Sequence, residues 1–74
     1  MDKYAFGRNL TKILHEKGIK QARLADKADL SAVSLSRYAN GSMQPSVYTL
    51  YKIAKALGVS MESLIAGIDA GDED

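Results

Sequence analysis

At 74 residues the chain is long enough for one small domain, a size that buries only about 60% of the surface exposed by the unfolded chain. It has no cysteine, which excludes a disulfide framework and a cysteine-based zinc site, and no apolar run of about 18 residues, which excludes a membrane-spanning helix. Net charge is only +1, yet ten Lys and Arg lie between Lys3 and Lys55, while Asp69, Asp72, Glu73 and Asp74 are four of the nine acids. Without residues 69–74, ten cations face five acids, a balance that permits binding to a polyanion but does not require it.

The first helix is predicted from Asp2, as its cap, to about Lys17. Phe6, Leu10, Ile13 and Leu14 recur at helical spacing and make one apolar stripe. Gly18 suits the left-handed residue that ends many helices. The next segment, KQARLADKA, is short and places Leu24, Ala25 and Ala28 on one face. Asp29 can take a left-handed backbone better than most residues, and Leu30 follows it as an apolar plug. Ser31 is a cap for a third helix, which Asn40-Gly41 ends. Residues 42–44 form a loop. Pro45-Ser46 opens a fourth helix, with Ser46 as cap and Val47, Leu50, Ile53, Ala54 and Leu57 on its apolar side. Gly58 stops it. Ser60 caps a fifth helix carrying Met61, Leu64 and Ile65, and Gly67 closes that one. The reading is all-α, with five helices, no strand and no repeat. Residues 1–67 form one domain, and 68–74 an acidic tail whose composition predicts disorder.

Helices two and three, joined by three or four residues, have the pattern of a helix-turn-helix. Ala25 is small where the partner helix crosses, Asp29 sits at the bend, and Leu30 fills the core behind it. In the third helix Ser34, Leu35 and Tyr38 share one face, while Ala32, Val33, Ser36 and Arg37 share the opposite one. From Phe6 to about Ala66 the chain resembles the lambda repressor-like, Cro/repressor type of helix-turn-helix domain. The matching elements are Gln21…Leu24-Ala25, Asn40-Gly41, Pro45-Ser46 and Ala54-x-x-Leu57-Gly58-Val59-Ser60, in order. The resemblance implies a five-helix domain that binds double-stranded DNA as a transcription regulator, as a homodimer.

Carried over residue by residue, the resemblance implies base contacts from Ala32, Val33, Ser36 and Arg37. It implies contacts to the DNA backbone from Lys20, Gln21, Ser31, Asn40, Ser42, Gln44 and Ser46. The chemistry fits: Arg37 can offer two parallel donors to guanine, Val33 and Ala32 can pack on a thymine methyl, and Ser36 can donate or accept. Gln21 and Asn40 on phosphates would set register without reading sequence. Arg37 on a phosphate or a neighbouring acid is the open alternative. Met61, Ile65 and Ile68 are the candidate dimer surface, against the alternative that they complete the monomer core, which is the preferred reading for Leu64. His15 is read as a surface histidine. Among the tyrosines, Tyr38 and Tyr51 are read as core or rim, and Tyr4 and Tyr48 as more exposed.

The chain departs from the family pattern in three places. Leu14 and Ala39 stand where many members have an arginine and a glutamate, and apolar replacement of both partners of a buried ion pair is tolerated. Lys20 replaces the usual Ser or Thr cap of helix two, and Asp29 replaces glycine. The functional expectation is a sequence-specific regulator, a repressor in the cytoplasm, on a pseudo-palindromic site. The rival is a protein-interaction module that keeps the fold but binds no operator. No nucleophile–base pair, metal cluster or phosphate-cradling loop points to an enzyme, a cofactor or a small-molecule substrate.

Overall fold

Serines open three of the five helices, and left-handed residues follow α1 to α4. The computed structural model describes residues 4–66, so the expectations for Asp2, Gly67, Ile68 and the acidic segment fall outside the described residues. Five helices follow one another: α1 Ala5–Lys17, α2 Gln21–Lys27, α3 Ala32–Asn40, α4 Val47–Leu57 and α5 Met61–Ile65. There is no strand among the described residues, and no helix there is long and apolar enough to cross a membrane.

Three of the helices are capped as their sequences demand. The hydroxyls of Ser31, Ser46 and Ser60 accept hydrogen bonds from the amides of Ser34, Thr49 and Ser63 at 3.0, 3.1 and 3.1 Å, each satisfying a donor that the helix itself cannot. α1 differs: Tyr4 holds the cap position with helical backbone angles and no side-chain cap. α2 has Lys20 at its cap, and no side chain closes it either.

The closures of α1, α2 and α4 share one geometry. At Gly18 the amides of Gly18 and Ile19 donate to His15 and Leu14 carbonyls, at 3.2 and 2.9 Å. This paired closure sets the residue after the left-handed one, Ile19, half-buried against the core. Asp29 does the same for α2 at φ 57°, with its own amide donating to Asp26 and that of Leu30 to Ala25, at 3.3 and 2.8 Å. The bend of the helix-turn-helix is therefore an ordinary helix stop with aspartate in the glycine position. Leu30, half-buried, packs on the core behind it.

The core gathers one stripe from each helix. Leu10, Leu24, Leu35, Ile53 and Leu64 are its fully buried large side chains, with Phe6, Leu14, Tyr38 and Leu57 around them. Leu14 belongs to this cluster and Ala39 packs against it. α1 packs on α3 and α5, α2 on α3 and α4, and α4 on α5. α1 and α3 meet closely at Gly7, where an added Cβ would run into the Ala39 carbonyl. Across the α1–α5 seam, Asn9 Nδ2 donates to the carbonyls of Leu64 and Ala66 at 2.9 and 2.7 Å.

Two expectations on α4 fail. Val47, assigned to its apolar side, is 76% exposed, and Tyr51, assigned to core or rim, is 49% exposed. Val47 is the first residue of α4 and precedes the turn at which the helix meets its neighbours. Tyr51 lies four residues on, above it on the same face, beside the exposed side chain of Lys55. The buried stripe begins instead at half-buried Leu50 and runs through Ile53, Ala54 and Leu57.

Candidate nucleic-acid interface

The face of α3 away from the core presents Ala32, Val33, Ser36 and Arg37, all exposed. Leu35 and Tyr38 anchor the opposite face at 0% and 8% exposure, with Ser34 half-buried beside them. Val33 is 60% exposed, an apolar side chain held in water on a helix rotated by its own buried residues. Arg37 makes no side-chain hydrogen bond or ion pair among the described residues.

The C-terminal end of α3 is tied down by the loop that follows. Asn40 Oδ1 accepts from the amide and the hydroxyl of Ser42 at 2.9 and 2.7 Å. The Arg37 carbonyl accepts from the Met43 amide at 3.2 Å. The Ser42 hydroxyl is thereby committed to the loop, where it acts as a brace. Asn40 Nδ2 has no partner among the described residues and remains a donor pair. Gln44 is exposed and already engaged.

The helix starts supply the remaining polar groups. Lys20 and Gln21 are exposed at the beginning of α2, whose first amides lack intrahelical acceptors. Ser31 accepts the Ser34 amide at 3.0 Å and keeps its hydroxyl proton. Ser46 is more constrained, because its hydroxyl accepts from the Thr49 amide and also donates to Thr49 Oγ1 at 3.1 Å. A phosphate at α4 would meet backbone amides more readily than this hydroxyl.

Arg23 and Lys27 were not singled out by the sequence reading. With Lys20, Gly18 and Ile19 they line a concavity of about 530 Å³ along α2. The signal was the spacing of Lys20, Arg23 and Lys27 at i, i+3 and i+7, which sets three cations on one stripe of the helix. At the candidate dimer surface, Leu64 is fully buried, Met61 is half-buried against the core and Ile65 is 41% exposed.

Comparison with known proteins points the same way. The helix-turn-helix family model matches residues 10–64. The HTH-type transcriptional regulator y4dJ of Sinorhizobium fredii is 36% identical over 63 residues, covering 85% of this chain and 82% of that protein. The prophage-derived HTH-type transcriptional regulator YonR of Bacillus subtilis is 35% identical over 65 residues, covering 88% of this chain and 60% of that one. Among solved structures, the restriction-modification controller protein C.AhdI of Aeromonas hydrophila superposes with a TM-score of 0.82 at 27% identity, over 85% of this chain and 96% of that one. The clp gene regulator ClgR of C. glutamicum superposes at 0.80 and 27% identity, over 85% and 82% of the two chains.

Proposed function

The chain belongs to the helix-turn-helix family of transcription regulators, which are not enzymes, and from that membership we propose that it reads duplex DNA with α3 as a homodimeric repressor. The observation that carries this reading is Arg37: an exposed guanidinium with no side-chain partner among the described residues, on a helix whose opposite face is locked into the core. Arg37 reads a guanine in the major groove, Val33 and Ala32 contact a thymine methyl, and Ser36 donates to a base acceptor or accepts from a base amino group. Lys20, Gln21, Ser31, Asn40, Gln44 and the first amides of α4 at Ser46 hold the sugar-phosphate backbone, with Ser42 keeping the loop in shape. Arg23 and Lys27 extend the basic stripe of Lys20 and add affinity rather than sequence discrimination.

The exposed Ile65, with half-buried Met61 at the start of the same helix, supports pairing of two copies through α5. Two-fold symmetry then calls for a pseudo-palindromic site with half-sites about 10 base pairs apart. Selection of bound sequences from random duplexes tests this directly. An enriched palindrome is expected, and Arg37→Ala should weaken the selected site by about 5- to 150-fold, matching the ~1–3 kcal/mol of one bidentate base contact. Binding to unrelated duplex at low salt should be little changed. Absence of enrichment, with salt-insensitive binding to a protein instead, would leave the interaction-module reading standing. A reporter placed downstream of the selected site should lose output, and a gain would make the protein an activator.

A further inference from the structure

The outward face of α4 carries the same small unit twice. Lys52 Nζ lies 5.3 Å from the centre of the Tyr48 ring, and Lys55 Nζ 5.9 Å from that of Tyr51. Each unit is a tyrosine followed four residues later by a lysine, a spacing that sets the pair on one strip of the helix. The second unit stands three residues after the first, about 4.5 Å further along the axis. The rings are left in water, Tyr48 at 70% exposure and Tyr51 at 49%.

The two units line a cleft of about 460 Å³ beside the helix-turn-helix bend, where Lys27 adds a third cation and Asp29 is the one acid of the lining. Lys52 Nζ also donates to the Asp29 carbonyl at 3.5 Å, which ties the strip to the bend. The cleft thus alternates flat π surfaces with ammonium groups. Duplex DNA keeps its base faces stacked inside, so it meets the cations and leaves the rings unused. An acidic peptide neutralises the lysines but brings no flat group at each repeat. A single strand answers both parts, because its bases stack on aromatic side chains while its phosphates meet the cations.

We propose that this face of α4 binds single-stranded nucleic acid, with two successive bases stacked on Tyr48 and Tyr51 and the adjoining phosphates set against Lys52 and Lys55. The rings tolerate any base, since every base has a π face, so the site holds a strand without reading its sequence. It does not rest on duplex recognition by α3, and it stands or falls separately from it.

The probe is an end-labelled thymidylate strand of about twelve nucleotides, titrated at low salt into the full chain and followed by anisotropy. The chain has four tyrosines and no tryptophan, so quenching of tyrosine emission reports stacking directly. Saturable binding with quenching is expected. Tyr48→Ala and Tyr51→Ala should each weaken it about 5- to 150-fold, with thermal melts confirming that these surface variants stay folded. K52Q/K55Q should take about 1.4 off the slope of log K against log salt. R37A should bind the strand as the parent does, whatever it does to duplex. Four results would overturn the proposal: no saturable binding, affinity unchanged by both tyrosine variants, equally tight binding of inorganic polyphosphate, or displacement of the strand by a glutamate peptide of equal charge, which would make the cleft an acidic-peptide site.

Discussion

At the scale of single residues, Lys20 separates stability from binding. It occupies a cap position with extended backbone and no side-chain cap, so Lys20→Ser should stabilise the domain by about 0.5–2 kcal/mol. The same change removes a cation beside the start of α2, so DNA affinity should fall and the slope of log K against log salt should lose about one unit. Thermal melts and a salt titration on one variant read the two effects with opposite signs, and a loss of both stability and affinity would contradict this account. The serine caps were legible in the sequence because a hydroxyl bonds an amide only three residues away. Asp29 was legible for the same local reason, since it can take the left-handed angle that Gly18 takes. Asn9 was not, because its partners lie 55 and 57 residues along the chain and nothing in its neighbourhood marks it.

At the scale of elements, α1 and α3 set the orientation of the reading face, and their distance is set by Gly7. In an open helix Gly→Ala gains roughly 0.5–1 kcal/mol. Here the new Cβ would strike the backbone carbonyl of Ala39, and overpacking of this kind costs about 1–3 kcal/mol. The clash should win: Gly7→Ala is expected to lower the urea midpoint, whereas an unchanged or higher midpoint would show that the helices can part without cost. The buried face of α3 could be read from the spacing of Leu35 and Tyr38. The exposed face of α4 could not, since the outward position of Val47 and Tyr51 depends on where α2 and α5 dock. Lysine stems cover part of that face, with Lys52 Nζ 5.3 Å from the Tyr48 ring centre and Lys55 Nζ 5.9 Å from that of Tyr51.

At the scale of the whole molecule, charge is divided by region rather than balanced locally. Lys20, Arg23 and Lys27 follow α2, and Arg8 and Lys12 follow α1, while α3 carries Arg37 as its one charged residue. In the proposed DNA-binding mode, affinity and discrimination would reside on different elements, with the α2 cations supplying salt-dependent attraction and α3 the choice of bases. A net charge of +1 conceals this division, which depends on three-dimensional placement and not on composition. The all-α class and the helix order were legible because each helix carries its own start, stop and stripe. The relation of the two basic surfaces to α3 became visible only when the helices were packed.

The Asn9 clamp has a kinetic consequence. α5 spans five residues, Met61–Ile65, far too few to persist as a helix in water on their own. It exists while Leu64 stays seated and Asn9 holds its last carbonyls, so undocking of α5 is a natural low-energy opening of the molecule. If two copies pair through Ile65, each association event also latches that opening shut. At a free concentration about a hundred times the dissociation constant, the latch adds roughly 2.7 kcal/mol. Amide hydrogen exchange in α5 should then slow by about two orders of magnitude between dilute and concentrated protein, while the α2 amides, away from the seam, change far less. Exchange in α5 that ignores concentration would place the pairing surface elsewhere.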